Sequence, residues 1–336
     1  MTDTPVRWGI LATGPMAAAF TEDLLAEPDA EVTAVGSRSD ASARRFAERF
    51  GIPRAHGTWK ELAGDPQVDV VYVATPHAHH LAAATVCLEE GKAVLCEKPM
   101  ALNRAEAAAM AALAERRSVF LMEAMWTYLH PTVRRVRQLV DEGAIGEVRS
   151  LHADFGARAP ADPGHRLRDP AAGGGALLDL GTYPVALAHL LLGPPDEVTA
   201  WSHLTPDGVD ESTGAVLGYE GGAMAVLSCS IAADSARSAV VHGTEGRIDI
   251  PSDFFNPRGF VLTREGREPE SFPEPPRSGN GYGHQIREVT RCLREGATGS
   301  SLVPMAGTLE VMGTLDRIRS LTGVRYPGEE VRRPGA

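Results

Sequence analysis

The chain has 336 residues, 43% of them hydrophobic, a formal net charge of −11 and four cysteines. That length exceeds one ordinary core and implies two domains, and the acidic balance argues against nucleic acid as the main partner. Cys87, Cys96, Cys229 and Cys292 lack metal-ligand spacing, Met1-Thr-Asp-Thr-Pro5 lacks the pattern of a signal peptide, and apolar runs such as 186–192 are too short to span a bilayer. A reduced, cytoplasmic protein with no membrane partner is therefore expected.

In chain order, residues 6–11 form an apolar run leading into Gly14, and 16–25 carry a helical pattern. Residues 31–35 form a second run, followed by the polar turn Ser37-Arg-Ser-Asp40 and a charged helix to Phe50. Strands at 68–73, 93–96 and 119–122 then alternate with helices at 77–90 and 103–116. This rhythm predicts βαβ units and a Rossmann-type, doubly wound parallel sheet over residues 1–125. After Trp126 a helix at 131–142 leads into strands at 147–155, 197–203, 212–219, 223–230, 238–242 and 247–250. Tight turns at 219–222 and 243–246 predict hairpins, 269–277 reads as a Pro-rich surface loop, and helices at 282–295 and 305–322 close the chain. The second unit, 126–336, is expected to be α+β: an open, mainly antiparallel sheet with helices on one face and the other face left to water or a partner.

Three features point to a dinucleotide. Ala12-Thr-Gly14-Pro15-Met16-Ala17 sits where a glycine fingerprint belongs, with alanine at its first and third glycine positions. Gly14 keeps the middle position, where a missing side chain lets backbone meet a pyrophosphate at a helix N-terminus. The second strand ends in Gly36-Ser37-Arg38-Ser39, with no acid for a ribose diol. Ser37 and Arg38 suit a 2′-phosphate, which favours NADP(H) over NAD(H). Thr75-Pro76-His77 and His80 follow the third strand at the carboxyl edge, where ligands bind. His77, His79 and His80 lack accompanying carboxylates or cysteines, so a cofactor explains them better than a metal, and no metal is expected.

Proton chemistry is carried by Cys96-Glu97-Lys98-Pro99 and by Gly173-Gly-Gly175-Ala-Leu-Leu-Asp179-Leu-Gly-Thr-Tyr183. If 175–192 is helical, Asp179 and Tyr183 share a face, and the three glycines let backbone and ligand approach closely. Oxidising a secondary alcohol removes a hydride, which a nicotinamide takes, and a proton, which the protein must take. A tyrosine titrates near about 10, and a neighbouring ammonium favours its phenolate. Tyr183 is thus expected to exchange the proton, Lys98 to lower its pKa and stabilise the alkoxide, and Asp179 to orient Lys98 or the substrate hydroxyl. Pro184 could bend the helix and aim the phenol. Trp126, Phe155 and Phe254-Phe255 could wall the substrate or simply pack in the core. Arg158, Arg166 and Arg168 could contact substrate hydroxyls or face solvent.

Together, Thr75-Pro-His77 with His80, Glu97-Lys98-Pro99, and Gly173-Gly-Gly175 with Asp179 and Tyr183 resemble the glucose-fructose oxidoreductase, inositol dehydrogenase and MocA family over nearly the whole chain. Phe120-Leu-Met-Glu-Ala-Met-Trp126, the segment 174–183 and Gly283-His-Gln-Ile-Arg-Glu288 are most similar to its dimeric dihydrodiol dehydrogenases and bacterial NADP-dependent sugar dehydrogenases. The resemblance places Lys98 and Tyr183 at catalytic positions, with tyrosine where many relatives have histidine. It implies an oxidoreductase acting on CH–OH groups of a small cyclic polyol, an aldose or a trans-dihydrodiol. It also implies a homodimer through the open sheet face, with a tetramer left open. Two alternatives stand beside it: a sensor that binds NADP(H) without turnover, and an enzyme that never releases its cofactor.

Overall fold

The computed structural model describes residues 4–160, 162, 164–276 and 279–329. Its first unit alternates β1 (Val6–Leu11), α1 (Pro15–Leu24), β2 (Ala30–Gly36), α2 (Asp40–Phe50), β3 (Arg54–His56), α3 (Trp59–Ala63), β4 (Val70–Val73), α4 (His80–Glu89), β5 (Ala93–Cys96), α5 (Arg104–Arg117) and β6 (Leu121–Glu123). The six strands are all parallel, in the order β3-β2-β1-β4-β5-β6. Every residue of β4 and β5 is buried, as expected of strands covered on both faces, and this is why they read as unbroken apolar runs. The order reverses between β1 and β4, so a crevice opens at their carboxyl ends.

The sequence reading passed over β3 and α3. β3 is three half-buried residues whose Arg54 and His56 side chains both reach Asp65, at 2.7 and 2.9 Å. The helix α3 starts on a capping box, with Thr58 and Glu61 satisfying each other's backbone N–H groups.

The second unit holds α6 (Pro131–Asp141), β7 (Val148–Gly156), α7 (Thr182–Leu192), β8 (Glu197–Leu204), β9 (Asp210–Gly218), β10 (Met224–Ser230), β11 (Ala239–Gly243), β12 (Gly246–Ile250), β13 (Gly259–Arg264), β14 (Glu270–Pro273), α8 (Gly283–Arg294) and α9 (Met305–Thr322). Its eight strands run β14-β13-β12-β11-β7-β10-β9-β8, antiparallel except for the β7–β10 pair. The expected loop at 269–277 is corrected here. Glu270–Pro273 pairs with β13 as an edge strand, Phe272 stacking on Phe260 at 4.6 Å, while Arg277 lies outside the described residues. Proline is tolerated because an edge strand leaves one row of N–H groups unpaired.

The helices α7 and α9 cover one face of this sheet. On the other, Trp201 of β8 is 68% exposed, with Val216 of β9 and Met224 and Val226 of β10 exposed beside it. By length and composition Pro170–Leu192 could cross a membrane, but 78% of its most apolar window is buried inside the protein, as in a core helix. The expected helix over 175–192 is present from residue 176 but is widened by a π turn. Gly175 sits at φ +115°, Leu177–Gly181 forms a π turn, and only then does α7 begin. Pro184 explains the wide turn, because it offers no N–H to the Leu180 carbonyl and its ring crowds that oxygen.

Candidate active site

The crevice side is built first by the β1–α1 turn. Ala12, at the first glycine position of the fingerprint, is held at φ +117°, a conformation that glycine adopts more easily. Gly14 has an ordinary extended backbone, and a Cβ there would meet nothing within 4 Å. Neither conformation nor packing requires glycine at that position, so the open space lies before the N-terminus of α1, which has no side-chain cap and no acid in its first turn. Pro15 opens the helix, and Met16 is exposed beside it. At the end of β2, Ser39 caps α2 and Asp40 is tied to Arg44 at 2.7 Å. That leaves Ser37 half-buried and Arg38 exposed, with no ion pair to Arg38 among the described residues.

After β4, Thr75 is buried with its hydroxyl unpartnered, and Pro76 leads into a turn of 3-10 helix starting at His77. His77 is buried, with Nδ1 at 3.2 Å from the Gly173 carbonyl and Nε2 at 3.5 Å from Asp179 Oδ1. His80 departs from its expected role as a cofactor contact. It is fully buried, and its ring nitrogens lie 2.9 and 2.8 Å from the carbonyls of Pro99 and Thr75. Burial, aided by the neighbouring His77, pushes it down to about 3. His80 braces the Thr75 loop against the Lys98-Pro99 loop rather than facing the crevice.

Glu97 is likewise drawn inward. The Tyr72 hydroxyl donates to it at 2.5 Å, and it accepts the Lys98 N–H at 3.1 Å. Burial raises its pKa against the pull of Lys98. The Lys98–Pro99 peptide is cis. Lys98 Nζ donates to the Asp179 carbonyl at 2.8 Å, lies 3.8 Å from Asp179 Oδ1, and sits 4.8 Å from the centre of the Tyr183 ring.

Asp179, on the π turn, is the hub. Arg166 places both guanidinium nitrogens 3.1 Å from Oδ1, adding to Lys98 and His77. Burial would raise this carboxyl, but Lys98, the His77 hydrogen bond and Arg166 outweigh it and hold it well below the usual carboxylate range. Arg166, expected as a substrate contact, is occupied with Asp179. Arg168 folds back on the Pro160 carbonyl, and the backbone N–H of Arg158 is held by Asp234.

Tyr183 is buried at the start of α7, and the Trp126 indole N–H donates to its oxygen at 3.0 Å. Phe155 and Phe255 flank its ring at 5.4 and 5.2 Å, and Trp126 stacks on Tyr282 at 4.7 Å. Phe254 packs behind, fully buried. The expected lowering of the phenol pKa by Lys98 is not what this arrangement produces. Burial, then Glu97, push it well above 10, and the ammonium lies over the ring face.

Packing within the protein already requires the three glycines. A Cβ on Gly173 would come 2.7 Å from Leu102 Cδ2, and one on Gly174 2.6 Å from the Arg166 carbonyl; one on Gly175 would collide with the Asp210 carboxylate. Sequence reasoning missed what holds this loop. Tyr326 donates to the Gly174 carbonyl at 2.8 Å, and Asp210 accepts the Leu177 N–H at 2.7 Å. It also missed Glu123, which takes the Met100 N–H and the Thr308 hydroxyl, each at 2.9 Å, and so supports the Lys98 loop from below. Only the fold joins these residues to the site: Tyr326 and Asp210 sit in no local motif, and Glu123, although within the segment 120–126, was given no role there.

A parallel dinucleotide-type sheet, a cleft at its switch point and a cluster of Lys98 from the first unit with Asp179 and Tyr183 from the second define a nicotinamide-dependent oxidoreductase. Residues 6–125 match the model for the oxidoreductase family, NAD-binding Rossmann fold, and residues 133–249 that for the GFO/IDH/MocA C-terminal domain. The chain belongs to the glucose-fructose oxidoreductase, inositol dehydrogenase and MocA family and is an NAD(P)-dependent dehydrogenase acting on CH–OH groups. It is similar to the trans-1,2-dihydrobenzene-1,2-diol dehydrogenases of Bos taurus and Homo sapiens, at 36% and 35% identity, each over 97% of this chain and 99% of the relative. A 3-ketoreductase from Actinomadura kijaniata, solved with NADP and TDP-benzene, superposes with a TM-score of 0.86 at 30% identity, covering 95% of this chain and 98% of that one. Levoglucosan dehydrogenase, with the same TM-score at 22% identity over 95% of this chain and 98% of its own, shares the fold.

Proposed function

We propose that this chain is an NADP(H)-dependent oxidoreductase acting on a secondary alcohol, or the matching ketone, of a cyclic polyol, either a sugar such as an aldose or a trans-dihydrodiol. The carrying observation is the meeting of Lys98, Asp179 and Tyr183, from two units of the fold, at the crevice of the parallel sheet.

The residues present fit a dinucleotide. The uncapped N-terminus of α1, behind open space at Gly14, would take the pyrophosphate, with Ala12, Pro15 and Met16 lining the turn. Ser37 and the exposed Arg38 would hold a 2′-phosphate. Thr75, with its unpartnered hydroxyl, Pro76 and His77 would border the nicotinamide end. The bound cofactor supplies the hydride donor or acceptor.

Tyr183 is a phenol at neutral pH, because burial disfavours its charged form. It is thus a proton donor for ketone reduction, and in the reverse direction its phenolate must be supported by neighbouring donors. Lys98, fixed by the Asp179 carbonyl and carboxylate, supplies positive charge where an alkoxide develops. Asp179, already engaged by Lys98, Arg166 and His77, orients Lys98 rather than a substrate hydroxyl. Phe155, Phe255 and Trp126 offer apolar surface to a ring. The face carrying Trp201 and Val226 is proposed to pair with a second copy of the chain.

The test is NADPH formation against aldoses, inositols and trans-dihydrodiols, with NAD+ in parallel and Arg38→Ala as a control. Turnover with NADP+, and a loss of NADP+ preference in Arg38→Ala, is expected. Tight NADPH binding with no turnover of any diol or of the corresponding ketones would instead make the protein a sensor. NADPH surviving purification would mark an enzyme that retains its cofactor.

A further inference from the structure

An indole nitrogen is a donor only, so in the 3.0 Å contact between Trp126 Nε1 and Tyr183 Oη the shared proton belongs to tryptophan. The phenol oxygen accepts, and its own proton must point elsewhere. Among the described residues nothing takes that proton. Trp126 is fixed in turn. It stacks on Tyr282 at 4.7 Å and 27°, and the Tyr282 N–H is held by the buried Asp23 of α1 at 2.8 Å. The same carboxylate takes the N–H groups of Asn280 and Gly281, so the loop before α8 is pinned to the first unit.

We propose that Trp126 is a positioning residue for proton transfer, its N–H fixing the rotation of the Tyr183 hydroxyl toward the substrate oxygen and stabilising the phenolate formed when the proton leaves. This rests on the reading of Tyr183 as the proton carrier. In reduction the Tyr183 O–H bond breaks and its proton joins the substrate oxygen, while hydride from the reduced nicotinamide joins the carbonyl carbon. The phenolate oxygen keeps the electron pair until water returns a proton, and oxidation is the reverse.

A hydrogen bond to a charged acceptor is roughly twice as strong as one to a neutral acceptor. The indole bond therefore strengthens as negative charge develops, which is what accelerates a chemical step. The other groups around the ring make this support necessary. Glu97, Asp179 and Glu123 disfavour the phenolate, Tyr72 and Tyr282 lie near it, and Lys98 faces the ring rather than the oxygen. The Trp126 bond acts in the opposite sense to burial.

The chain has four tryptophans, so indole N–H signals in an NMR spectrum are few enough to assign by Trp126→Phe. In Tyr183→Phe the Trp126 signal should move upfield; an unmoved signal overturns the contact itself. Kinetically, Trp126→Phe, which keeps an aromatic face toward the substrate, should lower kcat about tenfold while KM changes far less and NADPH affinity is kept, and raise by about one unit the pH at which alcohol oxidation levels off. In a Tyr183→Phe background it should cost nothing further. An unchanged kcat and pH profile in Trp126→Phe, with Tyr183→Phe inactive, overturns the proposal alone. Equal losses in both backgrounds overturn it too, since they report general damage. Full turnover in Tyr183→Phe overturns the reading of Tyr183 on which it stands, whatever the NMR signal does.

Discussion

Glu123 is the residue whose chemistry is most exposed to test. It is buried beneath the Lys98 loop, and burial, followed by Glu97, pushes its carboxyl up from 4.5 to about 7, against the hydrogen bonds from Thr308 and Met100 and the charge of Lys98. The folded state thus favours the protonated form. Its contribution is intact below the unfolded pKa and is lost as pH rises toward 7, by up to about 3 kcal/mol. Glu123→Gln removes that titration while keeping a polar side chain. Its melting temperature relative to wild type should improve steadily from pH 5 to pH 8, and a difference that does not change with pH would show that Glu123 does not titrate there. Residues of this kind were hidden from the sequence. Lys98, Asp179 and Tyr183 sit in motifs that announce them. Glu123, Asp210 and Tyr326 acquire their roles from partners far along the chain, and Trp126 was visible as an aromatic but not as a hydrogen-bond donor.

Among the elements, the π turn before α7 links a single proline to the site. Pro184 withholds an N–H from Leu180, and within the widened turn the Asp179 carbonyl accepts Lys98 Nζ at 2.8 Å. Pro184→Ala would gain a backbone hydrogen bond worth about 1 kcal/mol but would loosen the unfolded chain by about as much. Stability should therefore stay within about 1 kcal/mol of wild type, while kcat falls about tenfold as Lys98 loses its acceptor. A normal kcat with the same melting temperature would mean the wide turn does not place Asp179. The doubly wound sheet was legible because strands buried on both faces read as apolar runs between helical patterns. What escaped has physical reasons: β3 is too short and polar to show a period, and the prolines near β14 read as a loop because its edge position forgives them. The π turn inside 175–192 was invisible to apolar pattern alone, since the residues on both sides of it are buried; only Pro184 hinted at a distortion.

At the scale of the molecule, one face of the eight-stranded sheet is covered by helices and the other presents Trp201, Val216, Met224 and Val226. An apolar patch on a regular sheet suits a second copy of the same surface, because a two-fold axis lets each residue act twice. If the proposed dimer forms through this face, Trp201→Lys should raise its dissociation constant at least about a hundredfold, since burying one aromatic side chain is worth roughly 2–3 kcal/mol and both protomers lose it. Light scattering coupled to gel filtration reads this directly. A mutant that remains dimeric at low micromolar concentration would place the interface on another face.

The bond from Tyr326 to the Gly174 carbonyl also sets an order of events during synthesis. All six strands of the parallel sheet come from one contiguous stretch ending at Glu123, so that sheet can form while the rest of the chain is still being made. The loop leading to Asp179 and Tyr183 gains this last support only once residue 326 has cleared the ribosome. A partly made chain therefore carries its whole parallel sheet before the loop that bears Asp179 and Tyr183 has its last support.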